Sequence, residues 1–207
     1  MEDLSDPVDL VGEAARLVLI GDLDGARVAL RGLDTTALEA ERKAAHSAVR
    51  ERVTSGRWVS PETRPQQGRD PGRSIRLAVF RRDHYVCRYE HCGRRTIDDA
   101  VLKLLSEALP DVLPYHSNWK LGSVHPIYWT HTASLEHVLA WSTHGTNDVE
   151  RNLVTACSCC QYAKNYYDLG VLGWEIAPVC DASSSWDGLK AMESELKWTV
   201  SRLSEGK

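Results

Sequence analysis

Cys87-x4-Cys92 and Cys157-x2-Cys160 place four thiols in two knuckle-like pairs far apart in the chain. Four thiolates in this spacing are the donor set of a tetrahedral structural zinc site. Such a site leaves no open coordination position, so its expected work is to clamp two distant segments, with metal binding contributing directly to folding. The two-residue spacing favours Cys157 with Cys160, although Cys159 can replace Cys160 and His91, inside the first knuckle, can displace a cysteine. Cys180 stands alone and reads as a small apolar residue. The opening MEDLSDPVDL lacks the basic region of a signal peptide, and no apolar run approaches the ~20 residues that span a bilayer. The expected compartment is the cytoplasm, without membrane association, where clustered cysteines point to metal rather than to disulfides.

The net charge is −4, but it is unevenly spread. Residues 1–53 carry eleven acidic against seven basic side chains, whereas residues 64–95 hold nine arginines against three acids. Arg76, Arg81, Arg82, Arg88, Arg94 and Arg95 form a basic stripe beside the first cysteine pair, the pattern expected of contacts to a phosphate backbone.

A second pattern leads into the later cysteines. Residues 134–164, SLEHVLAWSTHGTNDVERNLVTACSCCQYAK, hold an acidic-His pair, an Asn, and a CxxC followed by a polar residue and a Lys. Together with FRRDHYVCRYEHC upstream, this stretch resembles the core and first zinc knuckle of the HNH (ββα-metal) endonucleases. The resemblance implies that His137 is the general base, Glu136 an acidic ligand of a catalytic Mg²⁺ or Mn²⁺, and Asn152 the loop asparagine that orients the base. Lys164 occupies the family's lysine position and is expected to neutralise phosphate.

The chain departs from the family at Gln161, where Asn or His is usual; its amide oxygen, and that of Asn165 four residues on, are the remaining expected donors to the cation. An imidazole titrating near ~6.5 suits proton abstraction from water around neutral pH. Strand alternation puts Glu136 and His137 on opposite faces, so both reach one site only if the strand ends or bends there. His144, in the intervening loop, is placed to touch DNA.

Those residues need elements to hold them. Apolar periodicity predicts helices at 8–19, 23–33 and 36–53, an N-terminal region that reads as a packing or homodimerisation module. Residues 54–73, rich in Pro, Gly and polar side chains, read as a linker, and 74–207 as the nuclease domain, with an insertion at 96–133. Within that domain the patterns predict helices at 74–82, 97–109, 161–169 and 185–203, and strands at 133–141 and 153–156. The fold class is α+β: a ββα-metal core with zinc knuckles behind an N-terminal helical region.

The resulting expectation is metal-dependent hydrolysis of DNA phosphodiester bonds, in restriction or defence or in mobile-element processing. Two competitors remain. One is a zinc-stabilised nucleic-acid-binding module with a decayed site, motivated by Gln161 and the acidic net charge. The other is a thiol redox protein using Cys157 and Cys160.

Overall fold

The computed structural model describes residues 6–53, 70–141, 147–179 and 185–205. His144, Cys180 and most of the expected linker lie outside the described residues.

Helix α1 (Pro7–Leu19) starts where Asp6 accepts a hydrogen bond from the Val8 amide and Pro7 takes the first turn. It buries Val8, Val11, Ala14, Ala15 and Val18 on one face. Helix α2 (Leu23–Arg31) is capped by Asp22 at the Gly25 amide, and α3 (Thr35–Val53) by Asp34 at the Ala37 amide. After α4 (Arg73–Arg82), the chain forms the first knuckle and then α5 (Asp99–Ala108) and α6 (Pro126–His131). Strand β1 (Ala133–His137) pairs antiparallel with β2 (Leu153–Cys157), and β2 runs without a loop into α7 (Ser158–Lys164). The short α8 (Leu169–Leu172) follows, and a 3₁₀ turn at Lys190–Met192 leads into α9 (Glu193–Glu205). Among the described residues the architecture is therefore α+β, mostly helical with one small two-stranded sheet.

The largest core joins α1 and α2 to α5, α6 and α9, with Val11, Leu30, Leu102, Leu105, Ile127 and Leu196 among its buried members. The amphipathic faces read from residues 1–53 thus pack within the chain, against the stretch that reads as an insertion. Helix α3 spans roughly 28 Å at 1.5 Å per residue. It carries Leu38 into this core, Ala45 against the cysteine cluster and Val49 against Ala163 and Leu172.

Three predicted elements differ in extent. The first strand stops at His137 instead of reaching Trp141, because Asn152 takes hold of the Leu139 backbone and turns the chain. The helix after the cysteines runs 158–164 rather than 161–169; Asn165 leaves it at φ 52°. The final helix begins at Glu193 rather than at residue 185, since Leu189 sits at φ 62° and precedes the 3₁₀ turn. The short helix α6 has no counterpart in the predicted elements; its start is set by Pro126 and by His125, whose ring nitrogen caps the Ile127 amide.

Candidate functional site

The first knuckle is a tight hairpin in which Val86 bridges Arg95 and the Cys87 amide bonds the Arg94 carbonyl. Gly93 turns the chain at φ 58°, a conformation that favours glycine. The Arg88 amide then bonds the Thr155 carbonyl, which ties the knuckle to β2. This brings the sulfurs of Cys87, Cys92, Cys157 and Cys160 within 4.8 Å of one another, a cluster that can hold a metal ion.

Cys159 is buried apart from the cluster, where burial and the neighbouring Cys157 push its thiol up to about 12. His91 also stays outside it, against the rings of Trp174 and Tyr89, with Nε2 3.7 Å from Cys160 Sγ. Four close thiolates repel one another, and the Arg94 guanidinium, 3.3 Å from Cys92 Sγ, offsets part of that charge.

The same β-to-α passage positions the histidine site. Asn152 is buried; its side-chain oxygen accepts from the Leu139 amide at 2.6 Å and its amide donates to the Leu139 carbonyl at 3.2 Å. The contact on the His137 ring itself comes from Asn147, whose Oδ1 lies 2.9 Å from His137 Nε2. An amide oxygen can only accept, so this bond puts the imidazole proton on Nε2 and makes Nδ1 the basic nitrogen. Asn147 escaped the sequence reading because nothing in its spacing separates it from other loop polar residues.

Lys164 has a different place from the expected one. It is wholly buried, with Nζ 3.0 Å from Glu136 Oε1 and 2.9 Å from the His137 carbonyl. A lysine so enclosed cannot reach a phosphate; it fixes the Glu136 carboxylate and the end of β1.

Two cavities meet at His137. The smaller, about 210 Å³, is lined by Glu136, His137 and Asn165, so the adjacent pair Glu136 and His137 does open on one space where the strand ends. The larger, about 340 Å³, is lined by His137, Gln161 and Arg76 among others. Gln161 and Asn165 therefore face different cavities. The expected i,i+4 relation fails because Asn165 is no longer helical.

Most of the arginine stripe is committed to internal partners. Arg82 binds Asp83 and the Val149 and Leu153 carbonyls, and Arg88 binds Asp83 and the Ala177 carbonyl. Asp83 is fully buried and also accepts from the Thr155 amide at 2.7 Å, which makes it the joint between α4, the knuckle and β2. Arg94 pairs with Glu41, and Arg95 with Asp6 and Asp9 at 2.7 and 2.8 Å. Basic knuckle and acidic N-terminal region complement each other within one chain. Of the six candidate arginines only Arg76 and Arg81 are exposed.

No family model, curated protein or solved structure matches this chain. No helix among the described residues is long and apolar enough to cross a membrane.

Proposed function

We propose that the chain is an HNH-type endonuclease that hydrolyses DNA phosphodiester bonds, with zinc in the four-cysteine cluster. The observation that carries this reading is the placement of His137. It ends the first strand of a hairpin that passes directly into a helix, beside Glu136 and across from α7.

The donor chemistry supports both metals. Two CxxC-like pairs with four clustered sulfurs suit zinc, which prefers tetrahedral thiolates. A carboxylate from Glu136 and an amide oxygen from Asn165 line one cavity with the imidazole, a hard oxygen set that suits Mg²⁺ or Mn²⁺. When bound there, such a cation supplies electrostatic stabilisation to the scissile phosphate and leaving oxygen.

The chain's own groups do the rest. His137 Nδ1 takes the proton of the attacking water, and Asn147 holds the ring in the tautomer that leaves this nitrogen basic. Lys164 fixes the His137 carbonyl and Asn152 the Leu139 backbone that follows the imidazole. Exposed Arg76 and Arg81 are the members of the stripe available to a DNA backbone.

The test is plasmid cleavage by zinc-loaded protein with added Mg²⁺ or Mn²⁺, beside His137→Ala at equal zinc content. Divalent-dependent nicking that falls by about 10²–10⁴ in the variant supports the nuclease and its base. Binding of DNA without cleavage at any divalent concentration replaces the reading with a zinc-stabilised binding module.

A further inference from the structure

We infer that the larger cavity beside His137 is a binding pocket for a single unstacked nucleobase. The substrate is then a single-stranded or extruded nucleotide, not a fully stacked duplex. The inference deepens the nuclease reading above and, for the link to cleavage, rests on it.

Its volume of about 340 Å³ lies at the small end of the range for ligand pockets. Trp119 and Tyr162 line it, and the Trp129 ring backs them at 5.5 and 4.8 Å between centroids. Aromatic faces of this kind are stacking platforms for bases. Trp119 is held at φ 46°, a sparsely populated conformation for a bulky residue, in a turn closed by its amide on the His116 carbonyl.

Polar groups stand ready for a base edge. Thr132 is 3% exposed and its hydroxyl lacks a hydrogen-bond partner, although it lines the cavity. Asp99 spends one carboxylate oxygen on Lys103 and leaves Oδ1 buried without a partner. A buried hydroxyl and carboxylate oxygen left unmatched cost stability unless something fills them. A carboxylate oxygen accepts from an amino-bearing base such as adenine, cytosine or guanine, and the hydroxyl can donate to a ring nitrogen or carbonyl.

At the same cavity Arg76 supplies a cation for the attached phosphate, and Gln161 a further amide. Asp70 now holds that guanidinium at 3.3 Å, so a phosphate would compete with Asp70 for it. A base stacked within a duplex cannot enter such a recess without leaving the stack.

The experiment is fluorescence anisotropy with labelled 12-mer single strands of dA, dC or dT and an abasic 12-mer of equal charge, without added divalent cation. The wild-type chain is expected to bind dA and dC about tenfold more tightly than the abasic strand, with dT between. Trp119→Ala should erase the difference. Asp99→Asn, which leaves the aromatic wall intact, should weaken the preference for dA and dC over dT. Equal affinity for abasic and natural strands overturns the pocket. The same preparations are then given Mg²⁺ or Mn²⁺ and assayed for cleavage of the labelled single strands as well as of plasmid, so cleavage with no base dependence of binding rejects the pocket alone. Base-dependent binding without cleavage keeps the pocket and rejects the nuclease, and loss of both overturns both.

Discussion

Lys164 Nζ sits 3.0 Å from Glu136 Oε1 with the lysine wholly buried, and its second bond, to the His137 carbonyl, ties α7 to the residue that would do the chemistry. A buried ion pair is costly to break from one side, since the surviving charge has no water to turn to. Lys164→Met is expected to lower unfolding free energy by about 3–5 kcal/mol, measured by urea denaturation. Lys164→Met combined with Glu136→Leu should recover much of that loss. If the single variant melts like wild type, the pair is not the clamp described.

Asn147 should matter to rate rather than to binding. Removing its carbonyl with Asn147→Ala frees the imidazole to protonate either nitrogen, so cleavage should fall by about tenfold or more while the dissociation constant for uncleaved DNA stays within about twofold. Asn147→Asp, which still accepts from Nε2–H, should retain more activity and, by holding the imidazolium more tightly, shift the acidic limb of the pH-rate profile upward. Equal losses in binding and rate would mean that Asn147 only shapes the loop.

The cysteine cluster predicts one zinc per chain by elemental analysis. Structural zinc sites contribute on the order of 10 kcal/mol of apparent binding energy at neutral pH, which becomes folding energy when the apo site is unformed. Cys157→Ser, or prolonged chelation, should therefore abolish the cooperative melt of the hairpin and α7, followed by near-ultraviolet circular dichroism of Trp174 and its neighbours. Cys159→Ser should leave zinc content unchanged, because that sulfur lies outside the cluster.

Acid should weaken the fold through His125. Burial pushes this imidazole down to about 4 from its ordinary 6.5, and Nδ1 must stay unprotonated to cap the Ile127 amide. The unfolded chain binds the proton first, so the stabilisation is complete above about pH 6.5 and is lost as pH falls towards 4. By pH 5 the loss from this residue is about 2 kcal/mol. His131, lowered to about 4 by burial and by Arg94, acts over the same window. His125→Asn keeps a capping oxygen without a titrating ring, and should halve the drop in melting temperature between pH 7 and pH 5. An unchanged drop would rule His125 out as the acid-sensitive cap.

How much of this was legible beforehand varies by the kind of interaction. The helices of residues 7–53 follow from apolar periodicity, a local feature that spacing reveals. The pairing of Cys87 and Cys92 with Cys157 and Cys160 was legible because metal chemistry demands a fixed number of donors, whatever the distance along the chain. Glu136 and His137 were singled out by their place in a recognisable pattern.

Charge partners were not legible, because ion pairing depends on which surfaces meet and leaves no period in the sequence. Read along the chain, the arginines of 81–95 looked like a surface for a polyanion; folded, Arg95 closes on Asp6 and Asp9, Arg94 on Glu41, and Arg88 on Asp83. The same holds for Lys164, whose helical position allowed either solvent or core until α7 packed against β1.

The sequence by itself determined most of the helical segments and the four-cysteine donor set, which rest on local spacing and on donor count, while the resemblance of residues 134–164 to a known pattern pointed to His137 as the candidate base. Tertiary structure alone decided that Asn147 holds the imidazole, that Asn165 parts from Gln161 at the end of α7, and that an aromatic-walled cavity opens beside His137. Those features arise where elements remote in sequence converge, and convergence depends on packing rather than on any pattern along the chain.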